Sequence, residues 1–501
     1  MASRRKMRLE PSLLARACSS RVRRSSIDPI APRPSPSYGE PHPAEPTRAE
    51  RRPRARTRWR RALLACHALL GCSSTATPAA PPALDPARAP WNVAAPLRPR
   101  SELELLMDGV ARVRELERRE PPTLASVPRE ELVERALERA EASTGPGSLE
   151  AEARLFSALE LVPAGHAWRP TLRRAFEANL WAFFDPERDQ IVVDAALGSA
   201  ARQRVLAHEL AHALVDRHFG LAARLGGGNA TSDARAALHL LAEGDADAVV
   251  AGLWHDAGEP SRLAPELSND AALAASTPEL PAVVQRSLSA AYADGARALR
   301  RLRAEAGWRG VDALYRDPPQ GTWALLEDPP RRAAPAPPAA HARLPPDDTW
   351  RLVYEDVLGE QALRVVLEEW LPAPLAAELA SGWDGDRLSL FERPARQPAR
   401  ALVWELRWRD GYAERSAAAL RRALRLPGPA SASDTGTLAC RAHRDSGVVG
   451  QWSRAGRLWL AHLLDGSEPA RCARLERWAR RVSATEPEPG DPGPKRLIGP
   501  R

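Results

Sequence analysis

The chain has 501 residues, enough for two or three domains, and a formal net charge of +8 from 72 Lys and Arg against 64 Asp and Glu. Residues 1–61 hold 17 basic and 5 acidic residues, which leaves 55 basic and 59 acidic residues in the rest of the chain. A basic body that grips nucleic acid is therefore excluded, and we expect no nucleic-acid partner.

The N-terminus has the pattern of an export signal. Within residues 1–71 we predict a disordered start rich in Pro, Ser and Arg, then a basic run, then ten apolar residues, too few to span a bilayer. The tetrad LLGC, ending at Cys72, resembles the lipid-attachment signal of bacterial lipoproteins. The resemblance implies lipidation of Cys72, a membrane anchor in the cell envelope and, because Ser73 is not aspartate, the outer membrane. Residues 72–95 are rich in Pro and Ala and predict a tether.

Five cysteines are present, and none forms a Cys-x-x-Cys pair, which argues against a thiolate zinc site or a thioredoxin-type motif. Cys440 and Cys472 lie in the same C-terminal part of the chain. In an exported protein they form a disulfide if their Cα atoms approach closely enough, and two unpaired thiols are the equal alternative.

Helical periodicity begins near residue 101. Apolar residues recur three and four apart among charges, which predicts a helical N-terminal segment over 96–165. The stretch 180–197 predicts a β-hairpin, because two short β-prone runs, WAFF and QIVVD, flank turn residues. Ser199 is placed to cap the helix that follows.

The helix predicted over 205–220 carries the central motif of the chain. Its sequence, VLAHELAHALVDRHFG, has apolar residues at helical spacing, and Gly220 is suited to end it. Residues four apart share a helix face, so His208 and His212 can converge on one metal ion. Glu209, one step round the helix, then faces a bound water.

A second helix is predicted from about Thr231, after a loop with three consecutive glycines. On it Glu243 and Asp247 are four residues apart and share a face. Gly244 has no side chain, so we expect the two motif helices to approach closely there. A zinc hydrolase needs three protein ligands and a base, and Glu243 is available as the third ligand of Zn²⁺ with Glu209 as the base.

The remaining patterns predict an α+β fold class. We expect a catalytic domain over 166–330, a Pro- and Ala-rich linker over 331–347, a C-terminal α+β domain over 348–483 and a disordered tail over 484–501. The C-terminal domain should contain two helices, a pair of strands and a hairpin.

The motifs HELAHAL and EGDAD together resemble the gluzincins, the thermolysin-like zinc metallopeptidases. The resemblance implies a zincin-like fold for the catalytic domain, with zinc ligands at His208, His212 and Glu243. Glu209 would be the catalytic carboxylate, and Asp247 would orient a ligand histidine. The hairpin before the first motif helix would offer an edge strand with which a peptide substrate can pair.

A closer likeness is to little-characterised bacterial lipoproteins that share HExxHALxDxHF, an EGDA helix and a GWxGDR segment, the last found here at 382–387. The resemblance covers about residues 100–470, and its specific part is the two-helix zinc site. The chain departs from thermolysin in having no clear counterpart of the Tyr and His that stabilise the oxyanion. Tyr292, Tyr315 and His341 are candidates by residue type alone.

Three other polar residues near the motifs have two interpretations each. His239, one turn before Glu243, is an alternative ligand or, more commonly for such a histidine, part of a helix surface or core. Asp216, one turn after His212, orients that histidine or is a solvated carboxylate at a helix end. His218 is expected to be structural.

These features together predict a zinc metalloendopeptidase that is lipid-anchored in the cell envelope and cleaves peptide or protein substrates. The first alternative is a noncatalytic envelope lipoprotein that keeps the zincin scaffold for binding or assembly. The second is a protein that binds membrane surfaces or nucleic acid through its basic N-terminus. An acylated Cys72 as first mature residue would exclude that second alternative.

Overall fold

The computed structural model describes residues 101–144, 148–163, 165–225, 231–256, 279–326, 335, 349–393, 399–427, 437–443, 447–454, 456–464 and 471–484. The export signal with Cys72, the tether, the linker apart from residue 335, and the tail beyond residue 484 lie outside these residues. Among the described helices, none is both long enough and apolar enough to cross a membrane.

The described part of the chain contains helices and strands in an interleaved order. The helices are α1 Glu102–Arg114, α2 Arg129–Thr144, α3 Ser148–Ala158, α4 Trp168–Asn179, α5 Ser199–Phe219, α6 Leu221–Leu225, α7 Ser232–Asp256, α8 Ala282–Arg316, α9 Trp323–Leu326, α10 Gly359–Trp370, α11 Ala373–Ser381, α12 Ala413–Ala423 and α13 Arg471–Ala484. The strands are β1 Thr123–Val127, β2 Ala182–Asp185, β3 Gln190–Asp194, β4 Arg351–Asp356, β5 Trp383–Arg393, β6 Ala399–Trp408, β7 Ala439–His443, β8 Gly447–Arg454 and β9 Arg457–Leu464.

Three strands form a small mixed sheet in the order β1-β3-β2. The strands β2 and β3 are the predicted hairpin and pair antiparallel, with Phe183 opposite Val192. The strand β1 pairs parallel to β3, with Thr123 opposite Gln190. The helical N-terminal segment predicted over 96–165 contains α1, α2 and α3, and the prediction did not include β1. Four of the five side chains of β1 are at least partly exposed, so this strand carries no alternating apolar pattern.

The first motif helix, α5, packs on this small sheet and on α1 and α7, within one hydrophobic core. Gly220 follows its last residue in the left-handed conformation, with φ 65°, and so ends the helix as predicted. The predicted cap is wrong by one residue. Gly198 occupies the N-cap position, Ser199 is already helical, and no side-chain hydrogen bond caps this end.

Gly244 in α7 permits a close approach to α8. A Cβ atom at Gly244 would lie 2.5 Å from the carbonyl oxygen of Gly295 in α8, closer than real Cβ contacts allow. The expectation that Gly244 brings the two motif helices together is therefore wrong, because the space that it leaves is filled by α8. This contact fixes the position of α7, the helix that carries Glu243.

The six remaining strands form an antiparallel sheet in the order β4-β5-β6-β9-β8-β7. Alternate side chains of this sheet enter different cores, as period-two alternation requires. Leu402 and Trp404 pack in the same core as helices α2, α3 and α4, whereas Val403 packs in a core with Trp478 of α13. The predicted C-terminal helices, strand pair and hairpin are all found, and the mixture of helices with two sheets confirms the α+β class.

Buried acids tie the start of α7 to the six-stranded sheet. The backbone N–H of Ser232 donates to Asp356 at 2.9 Å, at the end of β4. Asp233 accepts from the backbone N–H of Thr322 at 2.8 Å and from its hydroxyl at 2.6 Å. A Cβ atom at Gly359, at the start of α10, would overlap the carboxylate of Asp233. The contact of Ser232 with Asp356 and that of Asp233 with Thr322 therefore both hold α7, the helix that supplies the predicted third ligand.

Candidate metal centre

The helix α5 carries the three polar residues of its motif, and two of them, Glu209 and His212, line a cleft. His208 is 5% exposed, Glu209 is 1% exposed, and the His212 side chain is 13% exposed. Residues four apart lie one above the other on a helix, which explains why the two imidazoles meet, with their Nε2 atoms 3.0 Å apart. The apolar residues of α5, including Leu206, Leu210 and Leu214, are buried in the core.

The helix α7 brings the predicted third ligand to the two histidines. The Oε2 atom of Glu243 lies 3.3 Å from His208 Nε2, and its Oε1 atom lies 3.5 Å from His212 Nε2. A tetrahedral zinc ion with bonds of about 2.0–2.1 Å holds its ligand atoms about 3.3 Å apart. The three separations of 3.0, 3.3 and 3.5 Å therefore suit a common ion. Among the described residues, these three form the one group of His, Cys, Asp or Glu side chains whose atoms lie close enough together to hold a metal ion.

The electrostatics of the cluster also suit a metal. Burial lowers the pKa of His212, which favours the neutral imidazole that a metal ligand requires. The Oε2 atom of Glu243 is buried and has no hydrogen bond with a donor in the described chain. Such an atom needs a partner, and a cation shared with the two histidines would supply it.

The predicted orienting residues have different outcomes. Asp247 Oδ1 lies 3.3 Å from His208 Nδ1, and a proton on that nitrogen leaves the Nε2 lone pair directed at the cluster. Asp216 has another partner, because its carboxylate accepts from the backbone N–H of Ala222 at 2.6 Å and no hydrogen bond joins it to His212 in the described chain. Asp216 therefore holds the turn between α5 and α6. His218 contacts the carbonyl oxygen of Glu117 at 2.8 Å.

The motif faces an open cleft with a volume of about 90 Å³. Its polar lining comprises Arg139, Glu209, His212, Asp216, His239 and Glu243. Its apolar lining comes from β2, α6 and α7, with Phe183, Phe184, Pro186, Leu221, Ala222, Leu225 and Ala242.

Two features of the cleft escape the sequence patterns. The backbone N–H of Phe184, on β2, donates to Glu209 Oε2 at 2.8 Å and fixes that carboxylate. Arg139, on α2, reaches the cleft from the N-terminal segment. No sequence signal separates Arg139 from the many other arginines of this chain. His239 also lines the cleft, with Nδ1 3.6 Å from Glu243 Oε1. Its position one helical turn before Glu243 is the sequence signal that indicates this placement.

The two candidate oxyanion residues that the structure describes, Tyr292 and Tyr315, are not in the described cleft lining. Tyr315 is 1% exposed and stacks on Phe219, with ring centroids 5.1 Å apart. Tyr292 is 4% exposed in the middle of α8. His341 lies outside the described residues.

The other predicted sites lie away from the cluster. Cys440 on β7 and Cys472 on α13 are joined by a disulfide, with Cα atoms 5.9 Å apart. In the GWxGDR segment, Asp386 is fully buried and accepts from the indole N–H groups of Trp383 and Trp404 at 3.1 and 2.9 Å. The backbone N–H groups that precede and begin α10 donate to the same carboxylate, at 3.0 and 2.9 Å. The segment is thus a packing motif of the six-stranded sheet.

Comparison with known families finds one similarity. A family model described as "Domain of unknown function (DUF8575)" matches residues 350–459. This match covers β4 through the first residues of β9 and does not reach α5 or α7. No curated protein and no solved structure matches the chain.

Proposed function

We propose that this protein is a zinc-dependent metallopeptidase of the gluzincin type with a zincin-like catalytic domain. The observation that carries the proposal is the convergence of three metal-ligating atoms from α5 and α7 beside a buried glutamate that faces the same cleft. His208, His212 and Glu243 would hold the ion. Three protein ligands and an open side toward a cleft are typical of catalytic zinc sites, whereas structural sites use four.

A bound zinc ion supplies a Lewis acid for the substrate carbonyl and makes water nucleophilic near neutral pH. Glu209 accepts the proton of the attacking water and passes it to the amine that leaves when the peptide bond breaks. The Phe184 N–H holds one oxygen of this carboxylate in place at 2.8 Å. A fixed carboxylate needs no reorganisation during the reaction, which favours the proton transfer.

The strand β2 supports a peptide substrate, which would pair with backbone groups other than the Phe184 N–H that already donates to Glu209. This strand is an edge of the small sheet, and Phe183 and Phe184 on it line the cleft. A peptide that pairs with an edge strand is held by main-chain hydrogen bonds, independent of its sequence. We infer peptide or protein substrates from this edge and from the cleft beside it.

We infer the cellular location from the N-terminal sequence. A basic run, ten apolar residues and Cys72 support export and lipid attachment in the cell envelope, in the outer membrane by the residue at position 73. The catalytic body would then lie on the envelope side of the membrane, joined by the Pro- and Ala-rich tether.

A second candidate function is a noncatalytic envelope lipoprotein that keeps the metal site for binding or assembly. The observation that favours it is the position of Tyr292 and Tyr315, which are buried away from the cleft lining. The buried Glu209 favours the enzyme, because a purely structural metal site has no use for a carboxylate beside its ligands.

Cleavage of a peptide library by the zinc-loaded protein tests the proposal. We expect Glu209→Gln to lower the rate by a factor of about 100 to 10,000 while keeping the metal, because it removes the proton acceptor and no ligand. Glu152→Gln is the matched control, since Glu152 is equally buried but hydrogen-bonds to Trp168 outside the cleft. Equal cleavage by wild type and Glu209→Gln would refute the catalytic role, and no cleavage by wild type would favour the noncatalytic alternative.

A further inference from the structure

Arg139 is a cation at the edge of the candidate catalytic cleft that the proposed mechanism does not use. It lies on α2, and its side chain is 26% exposed and lines the cleft together with Glu209 and Glu243. The helix α2 belongs to neither motif. The N-terminal helical segment therefore contributes directly to the surface that a substrate would contact.

The one protein partner of Arg139 in the described chain has other partners of its own. Arg139 Nη1 donates to Asp185 Oδ1 at 3.1 Å. The same carboxylate accepts from Arg188 Nη1 at 2.7 Å and from the backbone N–H groups of Glu187 and Arg188, at 3.0 and 3.4 Å. The carboxylate of Asp185 is thus shared between Arg139 and Arg188, and it holds the Arg139 side chain in position.

Most hydrogen-bonding capacity of Arg139 remains available to a ligand. A guanidinium has five N–H donors in a planar fork that matches a carboxylate. Apart from the contact to Asp185, no hydrogen bond joins Arg139 to any described residue. The nearby walls of the cleft are apolar and include Phe184 and Leu225. Burial lowers the pKa of Arg139, and the nearby carboxylates of Asp185, Glu187, Glu209 and Asp216 offset this in part.

A structural arginine of the same protein looks different. Arg114 is fully buried and donates to both Asp245, at 2.8 Å, and Asp312, at 2.7 Å, so two carboxylates face one guanidinium. Arg139 shares one carboxylate with a second arginine and opens to a cleft. The contrast is that expected between a guanidinium that braces the fold and one that binds a ligand.

Resting on the metallopeptidase function proposed above, we propose that Arg139 binds a carboxylate of the substrate. That carboxylate belongs to an acidic side chain next to the cleaved bond or to the C-terminus of a short peptide. Both sources present the same planar anion to the guanidinium, and both leave the rest of the peptide free to contact the apolar walls. Arg139 is then a specificity residue for acidic or C-terminal substrates.

Two peptide pairs distinguish the two sources of the carboxylate. One pair differs only by Glu against Gln beside the cleaved bond, and the other only by a free against an amidated C-terminus. With zinc-loaded full-length protein, we expect one pair to show a carboxylate preference of about 10- to 100-fold in kcat/KM, mainly through KM. In Arg139→Gln this preference should fall to near one.

Two further variants serve as controls. Arg135→Gln changes an arginine one turn earlier on the same helix, which pairs with Glu131 at the surface, and it should keep the preference. Arg139→Lys keeps the charge without the planar fork and should lower the preference less than Arg139→Gln. If Arg139→Gln does not fold, the test is whether the carboxylate preference of Arg139→Lys is lower than that of wild type. Equal preference in wild type and the Arg139 variants, or none in wild type, would overturn the proposal.

Binding separates this proposal from the proposed catalysis. The same peptides, labelled with a fluorophore, are titrated into zinc-loaded Glu209→Gln and followed by anisotropy. If the Glu209→Gln protein prefers the peptide with the carboxylate and the double variant Glu209→Gln/Arg139→Gln does not, the role of Arg139 is supported even when no form of the protein cleaves a peptide. Cleavage by wild type without any carboxylate preference would contradict the role of Arg139 and leave the proposed function standing.

Discussion

Two buried acids, Glu243 in the cleft and Asp386 in the six-stranded sheet, have opposite surroundings. Asp386 accepts four N–H donors from two indoles and two backbone groups and needs nothing further. Glu243 faces the imidazoles of His208, His212 and His239 at 3.3–3.6 Å, and its Oε2 atom has no hydrogen-bond donor in the described chain. A buried acid with a complete set of donors stabilises a fold, whereas an incomplete one among other ligand atoms marks a functional site.

Substituting each acid in turn tests the comparison. Asp386→Ala leaves four buried donors without an acceptor, so we expect a loss of about 4 kcal/mol in the free energy of unfolding. Glu243→Gln should change the stability of the metal-free protein by less than about 1 kcal/mol, because few hydrogen bonds are lost. Chemical denaturation of the metal-free variants measures both. A larger loss from Glu243→Gln than from Asp386→Ala would reverse the assignments.

Zinc affinity tests the functional role of Glu243 in the same comparison. Glu243→Gln should lose most of its zinc affinity, whereas any folded Asp386→Ala protein should keep it. Protein that binds zinc at 1,000 times its Kd gains about 4 kcal/mol, so zinc should raise the melting temperature of wild type clearly and that of Glu243→Gln little. Equal zinc-induced shifts in the two proteins would contradict a ligand role for Glu243.

A third buried acid, Asp233, makes the stability of the protein depend on pH. Within the described part of the chain it accepts from the N–H and hydroxyl of Thr322, and burial, with smaller contributions from Asp386 and Glu360, raises its pKa from 3.8 to about 8. The unfolded chain therefore releases this proton at lower pH than the folded one, and the stabilisation present below about pH 4 is lost as the pH rises to about 8.

The matched variant for this effect is Asp233→Asn, which keeps a side-chain oxygen for Thr322 and does not titrate. Between pH 5 and pH 7 the stability of wild type relative to Asp233→Asn should fall by about 1.4 kcal/mol per pH unit. Urea unfolding at three pH values measures the slope. Parallel pH profiles for the two proteins would show that Asp233 ionises as readily in the folded state as in the unfolded one.

The sequence predicted the elements whose signals are local. The helix of His208, the hairpin of β2 and β3 and four strands of the six-stranded sheet, β5, β6, β8 and β9, carry local patterns of their own, whereas β4 and β7 were not predicted. The ligand cluster was also predictable, because residues four apart on two helices define two faces before any tertiary contact is known. The stop at Gly220 followed from the same local reasoning.

The parts that escaped prediction depend on distant contacts. The strand β1 exists because it pairs with β3, with each residue opposite one about seventy positions later, and its own side chains show no pattern. The partner of Gly244 is Gly295, which no spacing reveals. Arg139 enters the cleft only because α2 packs beside the hairpin, and Asp216 turns to the backbone of Ala222 because a short helix follows α5 directly. Local sequence carries none of these distances.

The central claim is a zinc ion held by α5 and α7, and zinc stoichiometry tests it most directly. Wild type and His208→Ala are purified, equilibrated with zinc, freed of unbound metal and measured by elemental analysis beside circular dichroism as a check of folding. We expect one zinc per wild-type chain and less than about a tenth of that in folded His208→Ala, because a three-ligand site does not survive loss of a ligand. Metal-free wild type, or folded His208→Ala that retains its zinc, would contradict the claim.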